Sequence, residues 1–225
     1  MKKEIVIFFL SFFLLSSCSS AQTTSTVEVI TVQYTAATQP WLTAISACAG
    51  KNVISSELRS ADTLDISQTN MTIRIGQTFD QTAPTYQIGT EEILVIGNRQ
   101  NPVSRLTGEQ VLGLFSGQIR NWKDVKGSDT PIQVWVFAPG EDVEQIFEQA
   151  GLGGTPVSSN ARLATGPDEM IQAIANDVNA IGITTSHWKT EGVAELFTVA
   201  SVPMLASTPA EPTGTLLQIL DCLQK

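Results

Sequence analysis

The sequence predicts an α/β fold with mostly parallel sheets. Two observations carry that expectation: short segments rich in β-branched residues alternate with segments of helical periodicity, and the connections between them are short. A third is the run Ile132-Gln133-Val134-Trp135-Val136-Phe137, nearly continuous in apolar residues, as in a strand covered on both faces.

Residues 27–34 read as a first strand. A small-residue loop, 35–38, leads to Pro40 at a first helical position, with Thr38 or Gln39 as the cap. Trp41, Ile45 and Cys48 recur at helical spacing, and Gly50 stops that helix. Residues 52–54 form a short second strand, and 55–69 are polar with one helical turn near 61–64. Residues 71–75 and 92–96 are the third and fourth strands. Thr107 opens a capping box with Gln110, ahead of Val111, Leu114 and Phe115 on one face. After the strand at 132–137, Gly140 leads into a helix over 141–150, with Val143, Ile146, Phe147 and Ala150 on one face and Gly151 at its end. Pro167 opens another helix carrying Met170, Ile171 and Ile174. Strands follow at 180–184 and 196–202, and a last helix spans about 215–223. Ligands of such sheets bind where strands end against helix N-termini, so the turns at 35–38 and 138–142 are the places to look.

Composition narrows the function. The 225 residues are 42% hydrophobic and 16% charged, too apolar and too weakly charged for a disordered chain. With 13 Lys and Arg against 22 Asp and Glu, the net charge is −9. A nucleic-acid binder needs a basic face, and a polybasic grip on an anionic membrane needs the same. Neither is present. One histidine and three cysteines leave little for a zinc cluster or a histidine-based triad. His187 beside Trp188 has no nucleophile that the sequence flags, and the acidic residues show no calcium-loop spacing. No catalytic residue, metal site or cofactor is expected.

The N-terminus reads as an export signal. Lys2 and Lys3 precede an apolar run over 5–15, shorter than the roughly 20 residues that span a bilayer. Leu15-Ser16-Ser17-Cys18 resembles the bacterial lipobox, which implies cleavage after residue 17 and lipidation of Cys18. Residues 18–26 then form a flexible Ser/Thr/Gln tether. The expected location is the bacterial cell membrane, anchored by lipid on its extracytoplasmic side. In that oxidising compartment Cys48 and Cys222 either pair, stapling the last helix to the first, or remain two buried thiols.

Asn101-Pro102-Val103-Ser104, Leu106-Thr107 and the stretch Val111-Leu112-Gly113-Leu114-Phe115-Ser116-Gly117-Gln118-Ile119-Arg120-Asn121-Trp122 resemble the phosphate-binding-protein family, the substrate-binding proteins of bacterial ABC importers. Thr130-Pro131-Ile132-Gln133-Val134 and Ala180-Ile181-Gly182-Ile183 extend the resemblance. It implies a two-lobed periplasmic-binding-protein type 2 fold: lobe 1 from 27–97 plus 193–225, lobe 2 from 98–192, and crossings near 92–98 and 193–202. Both cysteines would then share one lobe, in agreement with a bridge. A small solute, phosphate or another oxyanion by family, would be trapped between the lobes by hinge closure and passed to ABC permease subunits. The chain would act as a monomer.

The second ligand loop departs from the family. Phosphate binders carry Arg-x-x-Gly-Ser-Gly-Thr there, and this chain has Phe137-Ala138-Pro139-Gly140-Glu141-Asp142-Val143. The glycine remains, the Arg position is apolar, and two carboxylates stand in the first helical turn. They suit the helix dipole. At about 4 Å and an effective dielectric of about 20, each would repel a unit anion by about 4 kcal/mol, roughly a thousandfold in affinity. That weighs against free phosphate as a tight ligand. The ligand-binding candidates are Thr35, Ala36 and Thr38 at the first turn, Gln77 and Thr78 after the third strand, Gly140, Glu141 and Asp142, and Arg162 and Thr165. Two functions stay in play. One is a lipid-anchored solute-binding protein of an importer. The other is a surface interaction lipoprotein that has repurposed the same fold, with a collapsed gap and no transport role.

Overall fold

A computed structural model describes residues 26–77 and 82–225. The signal and lipidation site, with Cys18, and the candidate Thr78 lie outside the described residues. Five helices and eight strands are named here, in chain order β1 (Val29–Tyr34), α1 (Trp41–Ala49), β2 (Val53–Leu58), β3 (Met71–Ile75), β4 (Thr85–Asn98), α2 (Gly108–Phe115), β5 (Gln133–Phe137), α3 (Asp142–Ile146), β6 (Arg162–Ala164), α4 (Pro167–Asn176), β7 (Ala180–Thr185), β8 (Val193–Ser207) and α5 (Gly214–Leu223).

The strands form one sheet in the order β2-β1-β3-β8-β4-β7-β5-β6, the arrangement of a type 2 periplasmic binding protein. Each end is parallel: β1 pairs with β2 and β3, and β5 with β6 and β7. The middle is antiparallel, because β4 and β8 run against each other and against β7 and β3. β3 and β7 are buried along their whole lengths, as strands covered on both faces must be.

The register makes the tips of the two ends face each other. β3 ends with Ile75 opposite Met204 of β8, which pairs with Gly89 of β4. β7 ends with Thr185 opposite Ile93 of β4. The strand tips therefore meet over residues 89–93 of β4, about 13 Å of strand. Register shifts fall at Gln87/Gly89 and Ile93/Leu94, on either side of this stretch. We call the place where the tips meet the seam.

Several elements differ from expectation, each for a physical reason. β4 and β8 run well beyond 92–96 and 196–202. Their outer parts carry Thr, Gln and Glu, and the pairing of two long strands with each other holds them where periodicity gives no signal. β2 continues to Leu58 as an exposed edge. Pro40 adopts helical dihedrals but stands before α1, at its N-cap, and residues 36–38 make a separate 3-10 turn capped by Thr35. The helix expected over 141–150 is α-helical only to Ile146 and widens into a π turn over Phe147–Gly151. The wider turn buries Phe147 edge-on against Phe115, at 4.6 Å between ring centres, and leaves Ala150 exposed. The Thr107–Gln110 capping box forms as expected. Cys48 and Cys222 are disulfide-bonded with Cα atoms 5.8 Å apart, joining α1 to α5.

Candidate functional site

Two strand-to-helix turns meet at the seam, one after β1 and one after β5. In the first, the Thr35 amide donates to Thr38 Oγ1 at 3.1 Å, and Thr38 Oγ1 donates back to the Thr35 carbonyl at 3.0 Å. This closed turn aims the Thr35 hydroxyl across the seam. In the second, Gly140 takes φ +97°, a region that favours glycine, and sends the chain into α3. Its carbonyl accepts the Ala61 amide at 3.1 Å. A Cβ there would press on the Asp62 carboxylate at 3.3 Å, so glycine also permits the close approach.

Asp142, first residue of α3, is fully buried. Its Oδ2 accepts the Thr35 hydroxyl at 2.7 Å and the Ile75 amide at 3.3 Å, and its Oδ1 accepts the Val143 amide at 3.0 Å. Burial pushes its carboxyl above the ordinary carboxylate range. The hydrogen bonds from Thr35, Ile75 and Val143 and the charge of Arg74 pull the other way. One carboxylate thus collects a hydroxyl, a strand-end amide and a helix N-terminal amide, the donor types that hold an anion at such turns. Close by is a cavity of about 10 Å³, bordered by Ala36, Ala37, Glu141 and Pro167. That is room for about one water. Glu141 is also pushed up, by burial and by the nearby Asp142 and Asp62.

A second carboxylate spans the seam. Glu91 of β4 is buried and accepts the Ser186 hydroxyl, the His187 amide at 3.3 Å and the Trp41 indole N–H at 3.4 Å. His187 Nδ1 lies 2.6 Å from Oε2, the oxygen that Trp41 also bonds, while Ser186 and the His187 amide share Oε1; the Trp41 and His187 rings are 5.3 Å apart. Beside this cluster the Trp188 indole donates to the Ala36 carbonyl at 3.3 Å. The serine bonds the carboxylate and not the imidazole, so these residues are arranged as a clasp.

The structure brings together Thr35, Ala36, Thr38, Gly140, Glu141 and Asp142. Thr35 and Asp142 satisfy each other. Gln77 stands apart, exposed on the rim of a larger pocket of about 450 Å³ beside the seam. Arg74, Gln145 and Gln149 line that pocket with Gln77, over apolar walls that include Ile146 and Val202. Arg162 lies on edge strand β6 with its guanidinium 5.6 Å from the Trp135 ring centre. Thr165 donates its amide and hydroxyl to Glu169 at 2.7 and 2.6 Å, closing the first turn of α4. Neither is bonded to Thr35 or Asp142: Thr165 is engaged by Glu169, and the Arg162 guanidinium lies over Trp135.

Sequence reading missed Glu91, Trp41 and Arg74. Arg74 left a signal, a lone charge between Ile73 and Ile75 in β3. Glu91 left almost none, since it sits in a polar stretch that reads as loop.

This sheet order, with facing strand tips and a helix N-terminus at the seam, defines a periplasmic-binding-protein architecture. Residues 53–217 match the PBP superfamily domain model PBP_like_2, and the chain belongs to that family. Among solved structures, the chain is similar to a protein from Clostridium perfringens described as a phosphate ABC transporter substrate-binding protein with bound phosphate. That match has a TM-score of 0.78 and 17% identity over 87% of this chain and 93% of that one. It is also similar to an ABC-type phosphate transport receptor from Vibrio cholerae, at TM-score 0.66 and 18% identity over 87% and 93%. The regulatory domain of OxyR2 from Vibrio vulnificus shares the fold at TM-score 0.63 and 8% identity over 88% and 97%. Among the described residues no helix is long and apolar enough to cross a membrane, and no group of three or more His, Cys, Asp or Glu could hold a metal ion.

Proposed function

We propose that this chain is a lipid-anchored, extracytoplasmic solute-binding protein of the phosphate-importer type whose solute is not free phosphate. In this reading residues 27–97 with 193–225 and residues 98–192 are its two lobes, β4 and β8 are the hinge, and ABC permease subunits receive the solute. It performs no chemistry on that solute. The observation that carries the reading is the Asp142 carboxylate bonded to Thr35 and Ile75, at the turn where the family resemblance puts an anion. A phosphate entering there would have to displace a carboxylate held by several donors and would meet Glu141 beside it.

Thermal unfolding with phosphate, sulfate and a panel of small metabolites tests this. A ligand at a hundred times its Kd adds about 2.7 kcal/mol, several degrees in melting temperature for a domain of this size. We expect no shift with phosphate and a shift with at least one other solute. A phosphate shift of several degrees contradicts the assignment. The mass of the mature N-terminus tests lipidation at Cys18.

The seam favours a second reading. It is crossed by Thr35–Asp142, Ala61–Gly140, Ala36–Trp188 and the Glu91 clasp, and the cavity bordered by Ala36 and Glu141 is only about 10 Å³. A surface interaction lipoprotein with a permanently closed gap would have that geometry. It predicts no solute-dependent shift at all.

A further inference from the structure

We infer that Glu91 and the turn Ser186–Trp188 form a proton-sensitive latch across the seam, one that holds more tightly when the His187 ring is protonated. This rests on the reading of β4 and β8 as the hinge and adds a control to it. Glu91 stands on β4 between the two register shifts, where the strand tips meet. From one end of the sheet it receives the Trp41 indole N–H of α1. From the other it receives Ser186 and His187, just beyond β7. Gly89, two residues earlier on β4, has no Cβ, and one there would overlap the Trp41 ring, so the indole sits directly on the strand. The Trp188 indole carries the same turn across to the Ala36 carbonyl. The two ends cannot part without breaking Trp188–Ala36 and freeing Glu91 from one of its two sets of partners.

The chemistry of the cluster makes it responsive to protons. The Glu91 side chain is wholly buried, and of the described groups that bond it the imidazole alone can take a positive charge. The His187 side chain is 47% exposed. Solvent protons therefore reach the ring, and the charge they bring lies 2.6 Å from a carboxylate sealed from water. With a neutral ring the contact is a hydrogen bond in one tautomer and is absent in the other. With a protonated ring it is an ion pair, the stronger interaction. The Trp41 ring, centred 5.3 Å from the imidazole, also favours a cation there. Proton binding and closure thus favour each other, and the latch weakens as the pH rises.

No second charge takes the place of Glu91. β4 also carries Glu92, which is exposed, and neither α1 nor β7 carries a charged residue. The charged groups of α4 are Asp168 and Glu169 in its first turn, and Glu169 is taken up by Thr165. After the turn, Lys189 pairs with Glu195 of β8 at 3.1 Å, and Glu191 is exposed. Among the described residues only Glu91 bonds the imidazole.

Hydrogen exchange of the indole N–H groups, followed by NMR on the full chain from pH 5 to pH 8, tests the latch. Trp188 reports on the seam. Trp122, wholly buried and bonded to the Asn179 carbonyl, is the reference. Their ratio cancels the general rise of exchange with pH and any change in global stability. His187 is the only histidine, so its ring resonances show its protonation directly. We expect Trp188 to exchange about fivefold faster relative to Trp122 as the ring loses its proton, the scale of a half-exposed ion pair. His187→Gln keeps a donor without a charge and should flatten the ratio, as should Glu91→Gln with the histidine still titrating. Lys189→Gln should respond as the parent does. A parent ratio that stays constant while the ring titrates overturns the proton control, and if His187→Gln then speeds Trp188 exchange at every pH the hinge reading stands. A ratio that rises equally in the parent and in His187→Gln overturns the part given to His187. Trp188 exchange as slow as that of Trp122 in every variant overturns the latch and the hinge reading together.

Discussion

The Thr35 hydroxyl and the Asp142 carboxylate are hydrogen-bonded at 2.7 Å, 107 residues apart in sequence and both buried. One comes from the turn after β1, the other from the first turn of α3. Their bond ties the facing strand tips together.

Removing either partner strands the other. Thr35→Val should cost about 1.5–3 kcal/mol, the range for a hydrogen bond to a charged group. Asp142→Ala should cost more, since it also leaves the Ile75 amide unpaired. Urea unfolding of both single variants and the double variant should give a coupling of about 0.5–3 kcal/mol. Additive effects would mean that the bond contributes nothing to stability.

Glu91 should behave as a buried hydrogen-bonding anchor. It is bonded by Trp41 from α1 and by Ser186 and His187 beyond β7. Glu91→Ala should destabilise by about 1–3 kcal/mol, the cost of leaving buried donors such as the Trp41 indole N–H without their acceptor. It should also change the fluorescence of Trp41. A variant as stable as the parent would remove the clasp from the account.

Stability should fall as pH rises through neutrality. Glu144 accepts the Phe137 amide at 3.0 Å, and burial pushes its carboxyl up from 4.5 to about 7. The folded chain binds this proton more tightly than the unfolded chain. Its contribution is therefore fully present below pH 4.5 and lost as the pH passes 7. Asp142 and Glu141 are displaced in the same direction. Asp65, Asp129, Glu169 and Glu195 are displaced oppositely but are exposed and screened. We expect a loss of about 2–3 kcal/mol between about pH 5 and pH 8 from Glu144. Glu144→Gln should flatten the profile. A parent chain more stable at the higher pH would contradict this.

The disulfide should matter as much as any packing contact. Cys48 and Cys222 are 174 residues apart, and closing so long a loop constrains the unfolded chain strongly. Reduction, or replacement of both cysteines by Ala, should cost about 2–5 kcal/mol. Denatured, unreduced protein should show neither thiol free to a labelling reagent.

The fold was legible where local chemistry and tertiary structure agree. The Thr107–Gln110 capping box, the apolar run before Phe137 and the glycines after helices each state their role locally. The Asn101 to Trp122 stretch carried the family resemblance, and Trp122, wholly buried, is there to fill a core. The outer parts of β4 and β8 were not legible, because their pairing comes from each other and not from any periodic pattern. The site was half legible. Thr35 and Asp142 stand out as a hydroxyl and a carboxylate at strand-to-helix turns, but that they bond each other depends on the β4 register. Arg162 was suggested by its charge alone, and only the sheet order shows that it sits on the far edge.

The phosphate response of the parent chain beside that of Glu141→Ser/Asp142→Gly tests the central claim most directly. That double change removes both carboxylates and leaves the Thr35 hydroxyl and the Ile75 amide facing an emptied seat. With inorganic phosphate in excess, the parent should show no rise in melting temperature, and the variant should gain a rise of several degrees. A parent chain stabilised by phosphate, or a folded variant indifferent to it, would contradict the claim that Asp142 occupies the anion's place.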